Sequence, residues 1–207
     1  MKGMKNIILA SQSPRRKNLL TDMGVTFSVV PSNFEEHLDN SRDPEVVAKE
    51  LALGKALDVA QYYPDAYVIG ADTIVTINGK QLEKPTSPEN AKELLRLLAG
   101  ESNYVTTGIS LVCINDNVRL SVATTTTVVF APFDEAVVDE YIATGDPMDK
   151  AGAYSVQRLY GTLIDHVEGD FDTIMGLNTT SLAAMLKQCG IDAQAVVITA
   201  DDLPKMV

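Results

Sequence analysis

A chain of 207 residues can bury roughly 70% of its unfolded surface, and 45% hydrophobic with 22% charged residues exclude a disordered or collagen-like polypeptide. Seventeen basic against 28 acidic side chains give a formal net charge of -11, which repels polyanions and excludes a protein that coats nucleic-acid backbones; a small phosphorylated ligand needs only a local cluster of cations. Cys113 and Cys189 form no C-x-x-C pair, and the apolar run Ile7 to Ala10 is too short for a signal-peptide core or a membrane span, so the expectation is a cytoplasmic protein with no membrane partner.

Strand-like and helix-like patterns alternate along the whole chain, which predicts an α/β protein. Asn6 to Ala10 reads as a buried strand, and Pro14 to Met23 as a helix stopped at Gly24, with Ser13 as its N-cap. Thr26 to Val30 reads as a second strand. Pro44 to Tyr63 is the longest helical pattern, with Val47, Leu51, Lys55 and Val59 spaced along one face. Tyr67 to Ile77 reads as a strand that turns at Asn78-Gly79 into Lys80 to Lys84. Pro88 to Leu98 is helical, with Ala91, Leu94, Leu95 and Leu98 inward. Tyr104 to Ile114 and Arg119 to Phe130 predict a long antiparallel pair. Asp134 to Thr144 is helical, Thr162 to Val167 and Phe171 to Ile174 read as strands, and Asn178 to Gln188 forms a final helix.

Several side chains along this pattern carry chemistry. Arg15 and Arg16 fall in the first turn of a helix, where the macrodipole disfavours cations by roughly 0.3–1 kcal/mol, a penalty that a bound anion would reverse. Ser11 and Ser13 add donors beside them. Spacing alone leaves two readings open: arginines on a surface turn, or a phosphate cradle. Asp72 interrupts the apolar run Val68 to Val75, where an unpaired charge is costly; it is either a structural carboxylate or an acid that meets a metal, a water or a basic partner. Lys55 on an apolar face, Lys84 before Pro85, and Glu35-Glu36 in a loop are each weak signals alone. His37 and His166 have no serine or cysteine at a recognisable spacing, which excludes a triad hydrolase, and both read as surface or satisfied residues.

Read together, Ile8-Leu9-Ala10-Ser11-Gln12-Ser13-Pro14-Arg15-Arg16, Gly70-Ala71-Asp72-Thr73-Ile74-Val75, Leu82-Glu83-Lys84-Pro85 and Pro147-Met148-Asp149-Lys150-Ala151-Gly152-Ala153-Tyr154 with Gln157 carry a likeness that Gly169-Asp170 and Met175-Gly176-Leu177 extend. In order and spacing the chain resembles the Maf-like nucleoside triphosphate pyrophosphatases over nearly its whole length. The resemblance implies one domain over residues 1–207: an α/β fold with a mixed twisted sheet flanked by helices, in a two-lobed Maf/ITPase-like architecture with a central cleft. It implies a cytoplasmic, commonly homodimeric enzyme that splits a nucleoside triphosphate between its α and β phosphates with Mg2+ or Mn2+. By position, Asp72 is implied as general base or metal-holding acid with Glu36 assisting, both as metal ligands. Arg15, Arg16, Lys55 and Lys84 are implied to hold the triphosphate.

Within that family, Ala71-Asp72-Thr73 with Gln157 resembles the dTTP/UTP branch, with Arg15, Thr73 and Gln157 as specificity positions. A glutamine amide both donates and accepts, which matches the mixed edge of uracil or thymine. Ser155, Arg158 and Asn103 depart from the family pattern, which usually has Gly-Ile-Gln-Gly and a histidine there; Arg158 reads either as an added contact or as a turn residue. The rival reading is a nucleotide-sensing or division-regulating binding protein with incidental turnover, and a further one is a structural α/β domain with no ligand. Carboxylates beside a triphosphate favour catalysis, because a pure binder gains nothing from them unless a metal intervenes.

Overall fold

The computed structural model describes residues 5–36, 41–199 and 202. Seven strands form a mixed sheet: β1 (Ile7–Leu9), β2 (Ser28–Val29), β3 (Tyr67–Ile77), β4 (Lys80–Leu82), β5 (Ser102–Cys113), β6 (Val118–Phe130) and β7 (Ile164–Glu168). Neighbours run β2, β1, β3, β5, β6, β7, with β4 paired to β3 off that path. The helices are α1 (Pro14–Asp22), α2 (Pro44–Ala60), α3 (Pro88–Leu98), α4 (Glu135–Ala143), α5 (Val156–Leu159), α6 (Phe171–Ile174) and α7 (Thr179–Gln188). The mixed sheet flanked by helices is the fold class expected from the sequence. Among the described residues no helix is long and apolar enough to cross a membrane.

The chain separates into two compact units, Met1–Thr73 with Thr106–Thr124 and Asp172–Val197, and Ile74–Val105 with Thr125–Phe171 and Ile198–Val207. In the first unit, β1 is buried along its length and pairs in parallel with β2 (Ile8 opposite Ser28) and with β3 (Leu9 opposite Ile69). A continuous apolar strand between two parallel neighbours is what burial on both faces requires. Proline at the first position opens α1, and Gly24 beyond its end takes a φ of +74°. The Asp43 carboxylate accepts from the Glu45 and Val46 N–H groups at the start of α2.

Helix α2 lies on the strands through small residues. A Cβ at Gly70 would stand 2.2 Å from the Ala52 carbonyl oxygen, and one at Gly108 would stand 2.2 Å from that of Ala48. Both glycines are therefore demanded by close backbone approach, and Ala48, Ala52 and Ala56 of α2 are fully buried against them. Ile8, Ala10, Ala56, Val59, Val68 and Val112 form the adjoining apolar core.

In the second unit, Asn78 (φ +48°) and Gly79 (φ +73°) make the left-handed pair that a two-residue hairpin needs between β3 and β4. Helix α3, capped by the Ser87 hydroxyl accepting from Asn90 N–H, buries Ala91, Leu95 and Leu98 and packs with α4. The Phe130 ring meets the edge of Tyr154 at 5.1 Å between centroids.

Three expectations differ from the structure. The strand at Thr26 to Val30 contracts to Ser28–Val29. Ser13 sits at the N-cap of α1, but its side chain makes no capping bond; its N–H donates instead to Ser11 Oγ at 3.2 Å. Phe171–Ile174 is a helical turn rather than a strand. There the Thr173 carbonyl accepts from Gly176 N–H at 3.0 Å, and the Asp172 carbonyl accepts from Leu177 N–H at 3.1 Å. These local bonds take the groups that a sheet ladder would use.

Candidate active site

The strand-to-helix step from β1 to α1 delivers Ser11, Ser13, Arg15 and Arg16. The first helical backbone bond runs from Lys17 N–H to the Ser13 carbonyl at 3.1 Å, so the Arg15 and Arg16 N–H groups precede the helical ladder, as at any helix start. The two arginines behave differently. Arg16 is held by the protein: Nε donates to the Gly176 carbonyl at 2.8 Å, Nη1 to Ser11 Oγ at 3.3 Å and Nη2 to Thr73 Oγ1 at 3.1 Å. Burial pushes its pKa down from the ordinary guanidinium value and neighbouring Arg15 adds to that, while Asp72 and Glu36 oppose it. Arg15 is half-buried and makes no hydrogen bond or ion pair among the described residues.

The acids gather on the other side of β3. Asp72, 6% exposed, places Oδ1 2.6 Å from the Lys55 ammonium, and Glu36 places Oε1 2.7 Å from the same nitrogen. Lys55 thus does not run out to solvent from its apolar helix face; its side chain is only 13% exposed and joins two carboxylates. Glu36 reaches this point because its loop is pinned to α2. Ser32 Oγ and Asn33 N–H both donate to Asp58 Oδ2 at 2.8 Å, and the Phe34 ring lies so close over Gly54 that a Cβ there would stand 2.4 Å from it. Sequence reading passed over Asp58, Phe34 and Gly54, since a loop residue, a surface acid and a mid-helix glycine carry no joint signal until they touch.

Thr73, next to Asp72, is the hinge of a further set. It accepts from Arg16, and its hydroxyl lies 2.9 Å from Thr107 Oγ1, which donates to the Thr173 carbonyl at 2.7 Å. Gly176 is required beside it, because a Cβ there would stand 3.1 Å from both Thr73 Oγ1 and Arg16 Nε, at a φ of +97°. Thr107, Thr173 and the Gly176 carbonyl are also contributions that the sequence reading did not name.

The remaining expected residues belong to the second unit. Lys84 is exposed and makes no hydrogen bond or ion pair among the described residues. Its neighbour Glu83 accepts through its carbonyl from Gly152 N–H at 3.1 Å, which ties the lysine's segment to the turn Ala151–Ala153. In that turn Gly152 and Ala153 take φ values of +74° and +61°. Gln157, in the one-turn helix α5, is half-buried, and its side chain makes no hydrogen bond among the described residues. Asn103 is a packing residue: fully buried, it donates to the Val128 carbonyl at 3.2 Å and accepts from Tyr154 Oη at 2.8 Å. His166 is exposed beside Asp165 and Glu168, whose hydrogen bonds raise its pKa; His37 lies outside the described residues.

The arrangement offers fixed cations, free first-turn donors and two carboxylates that already hold a cation. Known proteins are similar to this chain over most of its length. Residues 6–189 match the family described as Maf-like protein. A dTTP/UTP pyrophosphatase of Bacillus cereus is 41% identical over 190 residues, 92% of this chain and 93% of that one. One of Dictyoglomus thermophilum is 41% identical over 90% of this chain and 97% of its own length, and one of Geobacillus sp. is 38% identical over 90% and 100%. Among solved structures, the Staphylococcus aureus Ham1 protein aligns with 61% of this chain and 72% of its own at a TM-score of 0.45 and 19% identity. By the extent of the family match and the identity of these relatives, the chain belongs to the Maf-like protein family.

Proposed function

We propose that this protein hydrolyses dTTP and UTP between the α and β phosphates, releasing the monophosphate and pyrophosphate. The observation that carries the reading is the Lys55 ammonium held at 2.6 Å by Asp72 and 2.7 Å by Glu36, within the electrostatic reach of Arg16. The substrate class comes from relatives about 40% identical that bear the name dTTP/UTP pyrophosphatase.

Cleavage of a phosphoanhydride needs neutralised phosphate oxygens, an oriented water and a stabilised leaving group. Arg15, with no hydrogen-bond or ion-pair partner among the described residues, and the first-turn N–H groups bind phosphate oxygens. Arg16 acts as fixed positive charge, because Ser11, Thr73 and Gly176 hold its fork before any ligand arrives. Lys84 is the further cation that the family resemblance implies for the triphosphate. Asp72 accepts the proton of the attacking water, while the Lys55 ammonium fixes which oxygen faces which way. Gln157 reads the base through an amide that both donates and accepts.

Among the described residues no cluster of three or more His, Cys, Asp or Glu side chains could hold a metal. Two carboxylates that close on one ammonium nevertheless suit a hard divalent ion that takes the rest of its shell from water and substrate phosphates. Asp72 and Glu36 would hold Mg2+ or Mn2+, which when bound would neutralise charge on the polyphosphate.

The test is product analysis with dTTP or UTP and Mg2+ or Mn2+. Stoichiometric pyrophosphate is expected, and release of single orthophosphate would overturn the cleavage site.

A further inference from the structure

Gln157, the base-reading side chain of the proposed function, makes no side-chain hydrogen bond among the described residues. Helix α5, which carries it, spans only Val156–Leu159, and its N-cap Ser155 supplies no side-chain capping bond. An isolated turn of this length is far from stable by itself. Something outside the turn must fix it.

One of its ends meets a carboxylate. At the C-terminal end, Arg158 Nε lies 3.4 Å from Asp146 Oδ1. That carboxylate is oriented in turn by the Tyr141 hydroxyl, which donates to Asp146 Oδ2 at 2.7 Å. Asp146 is itself immobilised: the Lys150 ammonium lies 3.2 Å from Oδ1 and donates to the Asp146 carbonyl at 2.6 Å. The Asp146 side chain is 16% exposed and Tyr141 is buried, so the hub is shielded although Arg158 is half in solvent.

We propose that Asp146 is the positioning residue for Gln157, holding the C-terminal end of α5 through Arg158, and that Arg158 serves the base-reading turn rather than the phosphates. The inference rests on the reading of Gln157 as the base-reading side chain. An exposed ion pair between two unrestrained side chains contributes little. This one differs because the Tyr141 hydroxyl and the Lys150 ammonium have already oriented the acceptor. Oδ2 takes the Tyr141 proton, and Oδ1 faces both Lys150 and Arg158. Arg158, engaged by Asp146, is a clasp on the turn.

The experiment measures kcat and KM for UTP and CTP in Asp146→Asn, Arg158→Ala, Arg158→Lys and Gln157→Ala, together with hydrogen–deuterium exchange over residues 155–160. Asp146→Asn and Arg158→Ala are expected to lower the UTP over CTP selectivity in kcat/KM roughly five- to tenfold, the scale of one misplaced hydrogen bond. The change should fall in KM, with kcat little altered and exchange over 155–160 accelerated. Arg158→Lys should recover most of the selectivity. Gln157→Ala should lose selectivity while exchange stays as in the parent protein. An equal rise in KM for both nucleotides on Arg158→Ala would make it a phosphate ligand and overturn the proposal, as would unchanged exchange in Asp146→Asn. Unaltered selectivity in Gln157→Ala, with exchange still accelerated in Asp146→Asn, overturns the base reading and with it the positioning role, while leaving the tether itself in place.

Discussion

The proton between Thr73 and Thr107, whose hydroxyl oxygens lie 2.9 Å apart, belongs to Thr73. Thr107 donates its own to the Thr173 carbonyl at 2.7 Å, and a carbonyl can only accept. Thr73 already accepts from Arg16 at 3.1 Å, so what it retains for a ligand is a lone pair. Such a group repels phosphate oxygens and suits an N–H donor, and the imide N–H is the one such donor on the ring of uracil or thymine.

Thr107→Val frees the Thr73 proton and removes one of two donors from the Thr173 carbonyl, which keeps Gly176 N–H at 3.0 Å. The expected stability loss is about 0.5–1.5 kcal/mol, the net contribution of one hydrogen bond, read by chemical denaturation. Discrimination between UTP and its N3-methylated analogue should also shrink, measured as the ratio of kcat/KM values. A variant that keeps the full ratio would remove Thr73 from contact with the imide.

Asp72→Asn keeps the shape of the side chain and removes its capacity to take a proton. Turnover should fall about 10²–10⁴-fold, the usual contribution of a positioned base, while nucleotide binding measured by calorimetry persists. Unchanged pyrophosphate release would exclude Asp72 from the chemistry.

Lys55→Met leaves the buried Asp72 carboxylate facing Glu36 with no cation between them. A lower melting temperature is expected, and added Mg2+ should recover more of it in the variant than in the parent, because the vacated point still has two acidic oxygens around it. Equal responses to Mg2+ would argue against these two acids as a metal pair.

Gly70→Ala should be among the most damaging single methyl additions in the chain. The new carbon would stand 2.2 Å from the Ala52 carbonyl oxygen and 2.7 Å from Ala56 N, so α2 must lift from β3. Overpacking of this kind costs about 1–3 kcal/mol; activity should fall with it, because Lys55 rides on the displaced helix. Thermal denaturation alongside a turnover assay checks both.

Much of this was readable from spacing. The hairpin at Asn78-Gly79, the helix opened by Asp43-Pro44 and the strand Tyr67–Ile77 each carry a local signal strong enough to fix the element. Asp72 and Lys55 stood out because each is a charge in an apolar pattern, and the structure shows why they tolerate burial: they are paired. Phe171–Ile174 misled because its apolar and polar alternation suits a strand, whereas Asp172 and Thr173 use their polar groups on α7 and Gly176 instead. Thr107, Thr173 and Asp146 were invisible for a different reason. Their significance is relational, since a threonine among the polar residues of β5 or an aspartate after a helix has no mark of its own until its partner from a distant segment is in place.

Contact of main chain with main chain at Gly70 and Gly108 has an effect on evolution as well as on folding. Lys55 and Asp72 hang from two pieces of polypeptide separated by no intervening side chain, so the gap between ammonium and acid is set by peptide dimensions. Substitutions elsewhere in the apolar interior can drift without retuning that gap, whereas the two glycines themselves admit no replacement. Sequence freedom around this site is therefore expected to be wide in the surrounding aliphatic residues and nearly absent at the two points where the helix touches the sheet.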